Sequence, residues 1–183
     1  KSAIATHTHA DHITGCFTLK EETNCEYVMW KDTASLGVSK YVDENSSLTF
    51  GEGSIKFHHA PGHTADSMIL EVDNHIFTGD FLFTGKGGVG RDDLPSGRME
   101  DHWNSLVNLS KFPGHVIVQT GHDPPGTKMQ TLQWNREHNP ILSMNSWEQY
   151  RDWQNDSIKQ LGYVSKMKVA LPANIFGEIP EVV

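Results

Sequence analysis

Four short segments of this chain hold residues able to bind a metal. His7-Thr-His9-Ala-Asp11-His12 places four potential ligands within six residues, directly after a strand-like segment. On extended backbone His7 and His9 point the same way, because side chains repeat with period two, and the turn that follows carries Asp11 and His12 round to the same side. Single candidates follow at His63, in Ala60-Pro-Gly-His-Thr64, at Asp80, in Phe77-Thr-Gly-Asp80, and at His122, in Thr120-Gly-His-Asp123. Each stands in a turn after a strand-like run. Separate strands that deliver a His or Asp at one end of a sheet assemble a metal centre from loops held on a rigid frame. Gly62, Gly79 and Gly121 precede these ligands and allow tight turns or close backbone approach. His58, His59, His75, His102, His115 and His138 lack this setting and read as surface or hydrogen-bonded histidines.

The elements that must position these residues are legible from local pattern. Strands are expected at Ser2 to Thr6, Cys25 to Trp30, Ser54 to Ala60, Met68 to Val72, His75 to Thr78 and Val116 to Gln119, with a hairpin corner at Gly51-Glu-Gly53 and a tight turn at Asp73-Asn74. Helices are expected at Ile13 to Thr23, where the amphipathic pattern is weak, at Arg98 to Leu109, where apolar residues recur at helical spacing, and at Thr127 to His138 and Trp147 to Leu161. A last strand is expected at Lys168 to Leu171. The Gly-rich stretch from Gly85 to Gly97 is too long for a plain connection and is read as functional. Strands and helices intermix without an intervening linker, which predicts one α+β domain over residues 1–183 with a helix-covered sheet.

Composition narrows the function. The 183 residues include eleven histidines and carry a net charge of −8, which argues against nucleic acid or an anionic membrane as the main partner. No apolar run reaches the roughly 18 residues of a membrane-spanning helix. Cys16 and Cys25 are too few for a disulfide framework, so a reducing compartment is expected, cytoplasmic or mitochondrial.

The pattern T-H-x-H-A-D-H, A-P-G-H-T, F-T-G-D and G-H-D, in this order, resembles the metallo-β-lactamase fold superfamily. Within it the chain is most similar to the persulfide dioxygenases of ETHE1 type, through Thr6 to Gly15, Phe77 to Asp80, Gly90-Arg91-x-Asp93, Asn139-Pro140 and Ala170-Leu-Pro-Ala-Asn174. The resemblance implies an αββα four-layer sandwich with the metal site at its edge. It implies one Fe(II) on His7, His63 and Asp80, a set that leaves positions for dioxygen and a substrate sulfur. His9, Asp11, His12 and His122 would then orient ligands and bound water. The implied reaction oxidises glutathione persulfide to sulfite and glutathione.

The same residues fit a second chemistry, that of glyoxalase II, the hydroxyacylglutathione hydrolases. There two Zn(II) ions would share the seven residues: His7, His9 and His63 on one, Asp11, His12 and His122 on the other, with Asp80 bridging, for thioester hydrolysis. A third expectation is an inactive metal-binding or interaction module. Arg91 has two expected partners, a substrate carboxylate or Asp93. Relatives carry Tyr after the His-Asp of the last motif, where this chain has Pro124-Pro125, and that tyrosine is the expected glutathione contact. Relatives also place a set of strands before the His-rich loop. The resemblance therefore predicts a chain short of its first strands, completed by a complementing N-terminal segment or by a homodimer.

Overall fold

The structure, a computed structural model, describes residues 1–180. Nine strands and five α-helices form two sheets with helices on both outer sides. The small sheet holds β1 (Ser2–Ile4), β2 (Glu26–Trp30) and β3 (Lys40–Val42) in the order β1-β2-β3, all parallel. The large sheet holds β4 (Ser47–Phe50), β5 (Gly53–His59), β6 (Met68–Val72), β7 (His75–Gly79), β8 (Ile117–Thr120) and β9 (Gln130–Thr131) in sequential order. Every pairing in it is antiparallel except β7 with β8.

Period-two alternation decides how the layers stack. On β2, Val28 and Trp30 face the large sheet and pack with Phe57, Met68 and Leu70. Tyr27 and Met29 face the other way and pack under α1 (Cys16–Thr23) with Cys16 and Phe17. On the far side of the large sheet Ile69, Ile76 and Val118 form the biggest apolar cluster, with Leu106 of α2 (Met99–Asn108), Leu132 of α3 (Leu132–His138) and Tyr150 of α4 (Trp147–Leu161). The α+β class is as expected. Cys16 and Cys25 are free, buried thiols. Among the described residues no helix is long and apolar enough to cross a membrane.

Strand direction builds the site. β5 and β7 are each antiparallel to β6, so they run the same way, and β8 is parallel to β7. The loops that leave β5, β7 and β8 therefore emerge at one edge of the sheet, carrying His63, Asp80 and His122. The small sheet is tied to that edge by the Met68 amide, which donates to the Thr6 carbonyl at 2.9 Å, one residue before His7.

Several local expectations are corrected. The expected strand at Lys168 to Leu171 lies inside a helix, α5 (Met167–Phe176). A short apolar run does not distinguish strand from buried helix by periodicity. Here Ala170, Ala173 and Asn174 are the buried positions, at helical spacing. The helix expected from Thr127 begins at Leu132, after the short strand β9, with the Thr131 hydroxyl accepting from the Trp134 amide. α1 starts at Cys16 rather than Ile13, because the Thr14 amide is bound by Asn174 across the molecule at 2.9 Å. The three-residue β3 carries too little pattern to be seen in sequence.

Candidate metal centre

The first loop descends from β1 into the gap between the sheets, and its shape is set by two distant polar side chains. Asp66 is buried and accepts four hydrogen bonds, from the Thr8 amide and from the hydroxyls of Thr8, Thr33 and Thr64. Asn174, buried on α5, donates to the carbonyls of His9 and His12, each at 2.9 Å. Both arrangements leave the polar groups of the clamp satisfied, as burial requires. At Gly79 the backbone takes φ +53°, and a Cβ there would lie 2.4 Å from Thr6 Oγ1 and 3.2 Å from His7 Nδ1. Glycine is required on both counts.

Within this frame His7, His63 and Asp80 converge, all buried, with one ligand atom from each lying within 4.8 Å of the others. His63 Nδ1 lies 2.6 Å from the Arg91 carbonyl. A carbonyl only accepts, so Nδ1 carries the proton and Nε2 presents its lone pair to the site. His7 Nδ1 lies 3.0 Å from the Thr6 hydroxyl, which holds the ring with its Nε2 facing the site. Asp80 Oδ2 lies 3.9 Å from His7 Nε2 and 3.7 Å from His63 Nε2.

The remaining candidates lie on the solvent side. His9, Asp11 and His12 form a second group whose ligand atoms lie within 4.8 Å of one another. His9 Nδ1 also stands 3.0 Å from His7 Nε2, so His9 touches both groups. His122 Nε2 lies 3.3 Å from Asp11 Oδ2 and 3.3 Å from Asp80 Oδ2, between the two. All seven sequence-derived candidates are thus together. Their burial differs: the side chains of His7, His63 and Asp80 are 2%, 6% and 10% exposed, those of Asp11, His12 and His122 43%, 49% and 46%.

The electrostatics follow burial. Desolvation, helped by neighbouring imidazoles, holds His7 well below the ordinary histidine value, and desolvation brings His63 and His9 to about 4. Desolvation raises Asp80 to about 6 against the opposing pull of His122. Burial works to raise Asp11, but His12, a backbone N–H and His122 outweigh it and hold that carboxyl below its usual range. Imidazoles held neutral by burial, around a desolvated carboxylate, form a donor set that a divalent cation would stabilise.

Arg91 takes the second of its two expected partners. Its Nε and Nη2 grip Asp93 at 2.6 and 2.7 Å, and its Nη1 donates to the Gly162 carbonyl at 2.8 Å. Asp93 holds the guanidinium pKa above its usual value. The loop behind it is braced from α4. Gln154 donates to the Gly90 carbonyl at 2.9 Å, and Tyr150 donates to Asp92 at 2.8 Å. His102, set aside as incidental, is fully buried in the same place, its Nε2 donating to the Phe81 carbonyl. His58 meets Glu71, His59 meets the Ala65 carbonyl, and His138 meets the Trp134 carbonyl, all away from the centre. Sequence reasoning missed Asp66, Asp92, Gln154 and the clamping role of Asn174. The one local signal was Asp66, an acidic residue three positions after a candidate ligand.

The fold and this edge-of-sheet arrangement have counterparts. The profile of the metallo-beta-lactamase superfamily matches residues 1–122, and the chain belongs to that superfamily. It is 28% identical over 177 residues to the mitochondrial persulfide dioxygenase ETHE1 of Mus musculus, covering 94% of this chain and 67% of that protein. It is 32% identical over 131 residues to a hydroxyacylglutathione hydrolase of Dictyostelium discoideum, covering 67% of this chain and 47% of that protein. The crystal structure of ETHE1 from Myxococcus xanthus superposes with a TM-score of 0.86 at 28% identity, covering 95% of this chain and 76% of that one.

Proposed function

We propose that the chain is a persulfide dioxygenase of ETHE1 type, with one iron held by His7 Nε2, His63 Nε2 and Asp80. The observation that carries this reading is the burial of one group of two histidines and one carboxylate beside a second, more exposed group. Two imidazoles and a carboxylate with open positions are the donor set of non-haem Fe(II) oxygenases. When bound, the iron supplies redox capacity and a place where dioxygen and the terminal sulfur of a small-thiol persulfide, glutathione persulfide in the first instance, meet. The balanced reaction is RSSH + O2 + H2O → RSH + sulfite + 2H+.

The chain's own groups serve that reaction in distinct ways. Arg91 and Thr6 fix which nitrogen of His63 and His7 faces inward, so the ligands need no reorganisation. Asp66 and Asn174 hold the first loop against both sheets. The two protons released must reach water, and His122 Nε2, within 3.3 Å of both Asp80 and Asp11 and half exposed, offers a path from the buried carboxylate to the surface. Near-stoichiometric iron in anaerobically purified protein, with oxygen uptake on glutathione persulfide that His63→Ala and Asp80→Ala abolish, is the expected result.

A second reading, a two-zinc thioester hydrolase, is favoured by one observation, the cluster of His9, Asp11 and His12 beside Asp80 and His122. Two tightly bound zinc ions, thioester hydrolysis and no oxygen uptake would replace the first reading with this one.

A further inference from the structure

The floor of the site holds the metal-ligating groups, and most of its wall is apolar, with Ser157 and Ser165 as polar side chains beside Arg91. A cavity of about 470 Å³ opens over His63, Asp80 and His122. Its walls include Phe83, Val89 and Leu94 from the loop after β7, and Leu161, Tyr163 and Val164 from the end of α4 and the segment after it. Leu161 and Tyr163 are 60% and 61% exposed, large apolar surfaces left to water at the rim of a polar centre. Apolar surface in that position marks a ligand groove.

Among the residues that line this cavity the one Lys or Arg is Arg91. Its fork is closed on Asp93, and its remaining arm holds the Gly162 carbonyl, which ties the Leu161–Val164 wall to the loop that orients His63. Its charge is therefore matched by Asp93, and its Nη1 is directed at the wall. A tail bearing carboxylates, such as the two of glutathione, would lose water against apolar walls without gaining a free cation. An alkyl or aryl tail would bury its surface there at no such cost.

We propose that the cavity takes a persulfide whose carbon skeleton is uncharged and apolar, an alkyl or aryl persulfide, in preference to that of glutathione. The oxidation of such a persulfide rests on the dioxygenase reading above, whereas the preference for the tail rests on the cavity alone.

The test separates the two. Co(II)-loaded protein is titrated with benzyl mercaptan and with glutathione, following the thiolate-to-cobalt absorption. Benzyl mercaptan is expected to bind at least about tenfold more tightly. Leu161→Lys, a change at an exposed wall position, is expected to shrink that ratio to about threefold or less by improving glutathione binding. Equal or tighter binding of glutathione to the unaltered protein overturns the proposal, as does a ratio indifferent to Leu161→Lys. Oxygen uptake with the two persulfides is measured in parallel. Preference for the apolar thiol without oxygen uptake removes the dioxygenase reading and leaves the cavity assignment standing. Uptake that is faster with glutathione persulfide does the reverse.

Discussion

Two halves of one ligand cluster differ in almost every physical respect. His7, His63 and Asp80 are buried, their ring nitrogens are tied to fixed partners, and their protonation is displaced by desolvation. Asp11, His12 and His122 are close to half exposed and bond chiefly to one another. The residue types are the same on both sides, so the difference comes from the frame. Strand ends and the Asp66 clamp fix the first set, while a surface turn carries most of the second. Pre-organised donors bind a cation without reordering, and exposed ones must be ordered by it. The contrast predicts one strong site beside a weaker one.

The largest effect should come from the buried set. His63→Ala or Asp80→Ala should lower iron affinity by at least about a hundredfold, since losing a ligand exceeds the loss of an orienting partner. His12→Ala should lower it by less than about tenfold. Equal losses in metal-binding titrations would erase the distinction between the halves.

Next comes the frame. Asp66→Ala leaves the Thr8 amide and three hydroxyls to find other partners and should cost about 3 kcal/mol of stability, together with a ten- to hundredfold loss of metal affinity. Chemical denaturation and metal competition read the two effects separately. A destabilised variant with unchanged metal affinity would mean that the first loop keeps its shape without the clamp.

The pH dependence of the metal-free chain sharpens the comparison further. His63 and His9 have folded-state values of about 4. A lowered histidine value gives stability that is present above the unfolded value near 6.5 and lost as pH falls towards 4, by about 3 kcal/mol for His63. Asp80, raised to about 6, acts in the opposite sense: its contribution is full below 3.8 and lost as pH rises through 6. The three depressed histidines outweigh the one raised carboxylate, so the metal-free protein should lose stability between pH 6.5 and 4. Asp80→Asn should steepen that loss, because the offsetting group is gone. Thermal melts of both proteins across this range check the sign, and a shallower slope in Asp80→Asn would refute it.

The smallest effect belongs to the brace behind Arg91. Gln154→Leu removes the bond to the Gly90 carbonyl, while the glutamine Oε1 has no hydrogen-bond partner among the described residues. Metal affinity should fall by about tenfold, with stability within about 1 kcal/mol of the parent. Unchanged affinity would reduce Gln154 to filling space.

What was legible in sequence follows the range of the interactions. The seven candidate ligands sit in short local patterns, alternation marks β5, and strand-like runs mark β2, β6 and β7, so these elements and their common edge could be expected. Asn174 reaches His9 and His12 across more than 160 positions, and Asp66 reaches Thr8 across 58, which no local pattern reports. Lys168 to Leu171, within α5, reads as a strand because a run so short and largely apolar shows no helical period. The buried spacing of α5 becomes apparent only once Asn174 is seen to hold the first loop. The cavity walls meet through tertiary packing alone, and so the state of Arg91 could be expected only as one of two partners.

The buried half should bind one metal ion strongly, and the exposed half should not match it. Anaerobic titration of the metal-free chain with Fe(II) tests this most directly. One tight equivalent per chain, retained in His12→Ala and lost in His63→Ala, is the predicted result. Two equivalents of indistinguishable affinity, both weakened by His12→Ala, would contradict it.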